Sequence, residues 1–426
     1  MARDPVGEGG RDMTMQVVDR RAFVRSPRDG VWVVGGSYYT RRDGVELMSI
    51  HVYSSRSDMM DTEYIRFSAD NGRSWSDPVT RPARTQTPRG VLQRHARGGY
   101  LDPRTDRFIR LRNQALLPTD SVGEYMTNNT IHYAVSTDGA RTDLFDEPLI
   151  QAGPEFGEDH PLPGVYRGRN CFMIGDFTCV PITLPDGAIL LPCQISPLGP
   201  DGSYVNKGGG FTYTDAAVIR GAWRPDGHIL WRLAGTATAD PERTTRGLIE
   251  PTIAELADGR ILIVMRGSND RRPELPGSRW FSISPDQGEH WPPAEPWRYT
   301  DGEAFYSPSS CSQLVPHSGG RLFWLGNLCA RNPRGNLPRH PFVIAEVDRS
   351  CGLVIRSSVT VVDDRRPEEP ELVTLSNFSA REDRETGRIV AHVLRHASPT
   401  AAEKADPALP ARRFQGDCML YEIAVQ

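Results

Sequence analysis

The chain is organised around a strand–turn–strand unit that recurs six times. In each unit a short apolar segment leads into a polar turn centred on Asp-Gly or a near equivalent, and a second apolar segment follows. Asp-Gly and Gly-Gly pairs supply the positive φ angles that tight hairpins need. The turns lie 61 to 81 residues apart, at Asp29-Gly30, Thr105-Asp106, Asp186-Gly187, Asp258-Gly259, Gly319-Gly320 and Thr386-Gly387.

Six two-strand units, each followed by more strand-like sequence, predict an all-β fold of six four-stranded blades, a six-bladed β-propeller. Radial repetition of small sheets leaves few exposed sheet edges. The sequence predicts a flexible lead-in over residues 1–15 and a single propeller domain over residues 16–426. The C-terminal strand near Asp417–Val425 is expected to pair with a strand from the N-terminal region and so join the first and last blades.

Composition and charge argue against several classes of partner. The formal net charge is −4 and no polybasic run is present, so neither nucleic acid nor a membrane surface is an expected partner. No stretch approaches 18 apolar residues, and the N-terminal segment lacks the apolar core of a signal peptide, so a cytoplasmic location is expected. The seven cysteines show no metal-ligand spacing, and the sequence predicts neither a metal site nor a cofactor. The oligomeric state stays open.

A second motif, S-x-D-x-G-x-x-W, occurs in the outer halves of two units, at Ser68–Trp75 and Ser284–Trp291, with a degenerate copy at Ser136–Gly139. The aspartate of such a turn can accept backbone N–H bonds, and the tryptophan can pack back under the turn. We expect these to be structural turns far from the axis, with Trp75 and Trp291 largely buried.

These two copies resemble the Asp boxes of the sialidase-like (BNR-repeat) family, and the resemblance covers most of residues 17–426. It implies a six-bladed propeller with a sugar site on its axis. The family carries a glutamate nine residues before the glycine of a middle repeat turn, which here is Glu250 in RGLIEPTIAELADGRILIVMRG. An arginine ends the next strand in the family, and Arg266 occupies that place.

Two further arginines are implied by the same resemblance. The family has one nine residues before the aspartate of the first repeat turn, which gives Arg20, with Arg21 as an equal competitor. Another precedes the outer strand of the following blade, for which NPRGNLPRHPFVIAEVD offers Arg339, with Arg334 and Arg331 as alternatives. Converging guanidinium groups can hold a sugar carboxylate through charge-assisted bonds.

The chain departs from the family at the nucleophile. A tyrosine is expected nine residues before the glycine of the last repeat turn, and this position is Phe378, whose ring has no oxygen to form a covalent intermediate. Tyr306 is a substitute from another blade. The family's general acid is an aspartate in the loop before the first Asp-box strand, for which Asp58 and Asp61 are the candidates.

Other polar groups fall where strands are expected to meet the central funnel. Asp176 precedes a repeat and Ser307 lies at the inner start of a blade, so both are candidate contacts to a polyhydroxylated ligand. The run Gly208–Gly210 is not a phosphate loop, because no Lys-Ser/Thr follows it and no helix begins there.

The sequence therefore favours a glycoside hydrolase acting on an acidic or highly polar sugar. Asp58 or Asp61 would protonate the leaving oxygen, and Glu250 would orient or activate water. Two rivals remain open at this point. One is a propeller polysaccharide lyase with a histidine or tyrosine base, and the other is a sugar-binding module without catalytic activity.

Overall fold

The chain folds into six antiparallel β-sheets arranged as the blades of a propeller, so the predicted all-β, six-bladed architecture is confirmed. The computed structural model describes residues 15–28, 30–370, 372–397 and 416–425. Innermost strands of neighbouring blades pack against one another around the axis. Within these ranges the helices are a 3-10 turn at Val122–Glu124, a short α-helix α1 at Tyr125–Asn128 and a 3-10 turn at Arg356–Ser358. None of them is long and apolar enough to cross a membrane.

The strands follow the chain from blade to blade. After β1 (Met15–Val24), blade one contains β2 (Trp32–Tyr39), β3 (Leu47–Ser54), β4 (Thr62–Ser68) and β5 (Val79–Pro82). Blade two contains β6 (Arg84–Thr87), β7 (Gly90–Leu101), β8 (Phe108–Leu117), β9 (Asn129–Ser136) and β10 (Phe145–Pro148). Blade three contains β11 (Phe172–Met173), β12 (Ile182–Thr183), β13 (Ile189–Ile195), β14 (Asp215–Trp223) and β15 (Ile229–Ala237).

The second half of the chain repeats the plan. Blade four contains β16 (Ile249–Glu255), β17 (Ile261–Arg266), β18 (Arg279–Ser284) and β19 (Glu295–Pro296). Blade five contains β20 (Gln313–Pro316), β21 (Leu322–Asn327), β22 (Phe342–Asp348), β23 (Leu353–Val354) and β24 (Thr360–Asp363). Blade six contains β25 (Val373–Glu382), β26 (Ile389–Ala397) and β27 (Asp417–Val425).

The propeller closes by a strand exchange between the two ends of the chain. Strand β1 pairs antiparallel with β27, with Met15 opposite Val425, and forms the outermost strand of blade six. The predicted pairing of the C-terminal strand with the N-terminal region is therefore confirmed. One strand of this blade comes from the N-terminal end of the chain and three come from the C-terminal end, so the ring cannot open without breaking a hydrogen-bonded ladder.

Five of the six predicted turns join neighbouring strands of one blade, and the first does not. Asp29 lies outside the described residues, but β1 pairs with β27 and β2 pairs with β3, so the flanking segments form no hairpin with each other. The first hairpin of blade one instead turns between Thr40 and Glu46, where Gly44 has φ 116°. The predicted turn is a crossover between blades.

The core is divided among the interfaces between blades. Each sheet packs on both faces against its neighbours, and for this reason central strands such as β17 and β21 are buried on both faces. Every residue of β17 is buried, for example. Between blades five and six, the rings of Phe342 and Phe378 meet edge-on with centroids 4.9 Å apart.

The Asp-box turns have the expected hydrogen bonds. The carboxylate of Asp70 accepts the backbone N–H of Ser74 at 2.8 Å, and the indole N–H of Trp75 donates to the Gly72 carbonyl at 3.1 Å. The prediction that Trp75 and Trp291 are largely buried is wrong, since both are only half-buried. Each indole packs against its own turn, and Trp291 also contacts the apolar core between blades three and four.

The first Asp box also contacts the closing blade, and this makes Trp75 a test of ring closure. Its ring meets Phe23 of β1 edge-on at 5.6 Å. Trp75→Ala is expected to lower the free energy of unfolding by about 2–3 kcal/mol, somewhat below the usual cost for a fully buried aromatic. Hydrogen exchange should accelerate selectively in β1. Trp291→Ala is the matched control, and equal acceleration of β1 in both variants would contradict this role.

Acid sensitivity is expected from His51 in β3. Burial, reinforced by Arg66, lowers the pKa of His51 to about 3, so its neutral form is favoured in the folded state. Its contribution to stability is complete above the unfolded pKa of about 6.5 and is lost as the pH falls towards 3. His51→Phe keeps the ring that stacks on Tyr64. Urea denaturation at pH 7 and pH 5 should show the wild type losing about 2 kcal/mol more than the variant. Equal losses would contradict the assignment.

Candidate functional site

Three innermost strands carry a β-bulge, and a polar residue occupies each bulge. The pairing registers of β7, β16 and β25 shift around Arg97, Glu250 and Asn377 respectively. Glu250 and Asn377 have φ angles of 49° and 53°, which non-glycine residues rarely adopt. Bulges redirect side chains and are frequent beside active sites. Here they aim polar groups from alternate blades at the axis.

Glu250 and Arg266 form a buried ion pair at the inner end of blade four. The antiparallel register places Arg266 opposite Ile249, and its Nη1 lies 2.5 Å from Glu250 Oε1. The Nε of Arg266 donates to Ser309 Oγ at 2.7 Å. Glu250 Oε2 is buried and has no hydrogen-bond partner among the described residues. One carboxylate oxygen is thus held by the arginine, and the acceptor capacity of the other is unused in the described structure.

Asp176 lies beside this pair, as its predicted place in the central funnel requires. Its carboxylate accepts the Asn377 side-chain amide at 2.6 Å and the Phe177 backbone N–H at 2.7 Å. Burial and the neighbouring charge of Glu250 raise the pKa of Asp176, while Arg97 acts in the opposite direction. Asp176 therefore connects the bulges of blades two, four and six.

Five guanidinium groups surround the two carboxylates, and Arg266 alone among them forms an ion pair within the described residues. Burial is the main cause that lowers the pKa of Arg246 and of Arg279 to about 10, and it also lowers that of Arg339. The Nε atoms of these three arginines have no hydrogen-bond partner in the described structure. We call this set the axial cluster: Arg97, Asp176, Arg246, Glu250, Arg266, Arg279 and Arg339.

Ser307 supports this cluster by accepting a hydrogen bond from Arg279. It is almost fully buried, accepts the Nη2 of Arg279 at 3.0 Å and donates to the Asn327 carbonyl at 2.8 Å. Its hydroxyl is therefore engaged on both sides. Ser307 is therefore a buried support for Arg279. It does not lie at the funnel surface, where a ligand contact was expected.

Of the three arginine alternatives in blade five, Arg339 reaches the axis. Its Nη2 donates to the Ser309 carbonyl at 3.1 Å, and its carbonyl accepts the backbone N–H of Leu375 on β25. Arg334 and Arg331 are exposed on the surface of the same loop. The contact with β25 fixes Arg339 between blades five and six.

Asp58 and Asp61 occupy different environments in the β3–β4 loop. Asp61 accepts the backbone N–H and the hydroxyl of Ser55, at 2.8 and 2.7 Å, and so fixes the loop. Asp58 is exposed, and its charge acts on Arg246 and Arg339 of the axial cluster. Of the two aspartates, Asp58 is therefore the one whose charge acts on the axial cluster.

Arg20 and Arg21 do not join the cluster, contrary to their predicted role. Both lie on β1, the outermost strand of blade six, where Arg20 pairs with Asp363 at 3.3 Å and Arg21 with Glu422 at 3.0 Å. The prediction counted back from a turn that is a crossover between blades, and so it reached an outer strand.

Phe378 does not line the site either. Its ring is fully buried in the core between blades five and six, and the adjacent Asn377 projects from the bulge instead. The turn that follows β25 contains six residues (383–388), whereas the turn after β16 contains five (256–260). Counting back nine residues therefore stops one position short of Asn377, and a shift of one residue reverses the face of a strand.

Three arginines of the cluster were not predicted from the sequence. Arg97 follows His95 within a strand, and Arg279 begins β18 with no motif around it. Arg246 stands in a loop, four residues before Glu250. The Gly98 that follows Arg97 was an available signal, because glycine within a strand often marks a bulge.

A second polar pair adjoins the mouth of the site. The hydroxyl of Tyr125 lies 3.0 Å from Nε2 of His95 on β7. Burial raises the pKa of Tyr125, and the charge of Asp58 raises it further. Burial also holds the pKa of His95 well below its usual range. Both groups are therefore neutral over the physiological pH range.

These features define a six-bladed β-propeller with a cluster of arginines around its axis. Among solved structures, the fold is similar to a protein of unknown function from Dyadobacter fermentans, with a TM-score of 0.58 and 11% identity, over 97% of this chain and 99% of that one. It is also similar to a mutant of the NanB sialidase from Streptococcus pneumoniae, with a TM-score of 0.58 and 10% identity, over 95% and 71% of the two chains.

A further similar structure is the Trypanosoma rangeli sialidase in complex with sialic acid, with a TM-score of 0.56 and 12% identity, over 95% of this chain and 58% of that one. The chain thus spans little more than half of that enzyme. No protein-family model and no curated protein matches the sequence. At these identities the comparisons establish the fold.

Close backbone packing around Glu250 provides a test of the site's construction. A Cβ on Gly175 would lie 2.7 Å from both Cα and Cγ of Glu250. Gly175→Ala is therefore expected to displace Glu250 and to lower the melting temperature by several degrees. Gly157→Ala, where an added Cβ meets nothing within 4 Å, is the matched control. Equal melting temperatures for the two variants would show that the described packing is wrong.

Proposed function

We propose that the chain is a glycoside hydrolase that removes a terminal acidic sugar bound at the propeller axis. The observation that carries this proposal is the axial cluster, which contains five guanidinium groups and two carboxylates. Within it, a single arginine forms an ion pair with a carboxylate in the described structure. Burying cations without carboxylate partners is costly, and an anionic ligand would compensate for that cost. A sugar carboxylate fits because guanidinium groups bind it through charge-assisted hydrogen bonds.

In this proposal the carboxylate of the sugar is bound by Arg246, Arg266 and Arg339. The charge of Arg266 acts on both Arg246 and Arg339, and the Nε atoms of Arg246 and Arg339 have no hydrogen-bond partner among the described residues. Asp176 and Asn377 form the polar wall towards blades three and six. Hydroxyl groups of the sugar would find acceptors and donors there.

The reaction proposed is direct displacement by water. Asp58 donates a proton to the glycosidic oxygen while the bond between that oxygen and the anomeric carbon breaks. A water molecule bonds to the same carbon, and its proton passes to the free oxygen of Glu250. Asn377 stands at the bulge of the last blade and has no nucleophilic oxygen, so the route needs no covalent glycosyl-enzyme.

A β-eliminating lyase acting on a uronic acid is the second candidate, and the Tyr125–His95 contact is the observation that favours it. Such a lyase needs a base that removes the proton next to the carboxylate. The raised pKa of Tyr125 opposes that role, because the phenolate is scarce at neutral pH. An unsaturated product absorbing in the near ultraviolet would identify the lyase.

The experiment is a screen of fluorogenic sialosides and uronides, followed by Glu250→Gln on the substrate identified. The substitution keeps the shape of the side chain and removes its charge, so turnover is expected to fall by about 100-fold or more with the fold retained. Glu255→Gln, at the opposite end of the same strand, is the control. Normal turnover by Glu250→Gln would contradict the proposal, and sugar binding without any turnover would identify a binding module.

A further inference from the structure

The Gly208–Gly210 run leads directly into Phe211, an aromatic residue that lies next to the axial cluster. Phe211 follows this run and is 59% exposed, the highest fraction among the large hydrophobic side chains in the described structure. Its ring lies beside Arg246, whose guanidinium carbon is 5.6 Å from the ring centroid. Because Arg246 belongs to the axial cluster, the exposed ring borders the proposed carboxylate site.

The exposure of Phe211 does not come from a loosely held loop. Its backbone N–H donates to the carboxylate of Asp270 at 3.0 Å, and the N–H of Gly210 donates to the Thr245 carbonyl at 2.9 Å. The carbonyl of Gly210 accepts the amide of Asn206 at 2.7 Å. Hydrogen bonds on both sides of the peptide therefore fix the position from which the ring projects.

The glycines are required by the close approach of this loop to the site. A Cβ on Gly208 would lie 2.4 Å from the Thr245 carbonyl oxygen, and one on Gly210 would lie 2.5 Å from Cγ of Arg246. Both contacts are impossible for a larger residue without displacement of backbone. The loop thus packs directly on the segment that carries Arg246 and leads into Glu250.

On this basis, and resting on the proposed function, we infer that Phe211 is a specificity-determining residue that packs against the ring of a cyclic sugar acid. One face of a pyranose presents C–H groups that are apolar, and an aromatic ring removes that face from water. The guanidinium groups bind the carboxylate and Phe211 contacts the ring, so the site selects cyclic over acyclic sugar acids. Binding pockets commonly combine an aromatic wall with a few polar groups that fix orientation.

The test measures binding of cyclic and acyclic acids by calorimetry. N-acetylneuraminate and D-glucuronate are the cyclic probes, and D-gluconate is the acyclic one. Phe211→Ala is expected to weaken the cyclic probe that binds by about three- to tenfold and to leave the affinity for gluconate within about twofold. Phe211→Trp should restore cyclic binding. Leu230→Ala, a similarly exposed apolar residue on β15, is the control.

The outcomes separate this inference from the proposed function. If the wild type binds none of the three acids, the acidic-sugar function fails and this inference fails with it. If the wild type binds cyclic acids and Phe211→Ala binds them equally well, the inference alone is overturned. An equal loss for cyclic and acyclic probes also overturns it, because that pattern indicates a disturbed Arg246. Melting temperatures equal to the wild type confirm that each variant is folded.

Discussion

Buried positive charge at the propeller axis is the constraint on which the site depends. Guanidinium groups lose hydration on burial, and Arg246, Arg279 and Arg339 have lowered pKa values for this reason. One of the five arginines, Arg266, is neutralised by a carboxylate contact in the described structure. A fold that gained only stability from this arrangement would do better with apolar residues in the same places. An anionic ligand bound among these arginines would compensate for the cost of burying their charge.

The propeller makes this concentration of charge feasible. Rigid hydrogen-bonded ladders hold the inner strands, and bulges at Arg97, Glu250 and Asn377 turn single side chains towards the axis without disrupting the blades. The left-handed backbone at Glu250 is locally unfavourable and persists because packing around it, including Gly175, leaves no alternative. Stability is supplied by the apolar interfaces between blades, and the polar side chains are concentrated at the axis.

The architecture and the central pair could be predicted from the sequence, because both depend on local spacing. Regular turns predicted the six blades, and counting back through the five-residue turn after β16 led to Glu250, which forms an ion pair with Arg266 in the structure. Arg20 and Phe378 were wrong because spacing carries no information on strand pairing. The count to Arg20 began at a crossover between blades. The count to Phe378 passed through a turn that is one residue longer than the turn after β16. Arg279 could not be predicted, since only tertiary packing brings it to the axis, whereas the Gly98 that follows Arg97 was a usable signal of a bulge.

The central claim is that the axial cluster recognises a negative charge on a sugar. The most direct measurement compares, by titration calorimetry, the free acid of a bound sugar with its neutral methyl ester, starting with N-acetylneuraminate and D-glucuronate. The two ligands share their ring and hydroxyl groups and differ in charge alone. The account predicts that the ester binds at least about tenfold more weakly, because hydrogen bonds to a charged group contribute about 1.5–3 kcal/mol. Equal affinities for acid and ester would contradict it.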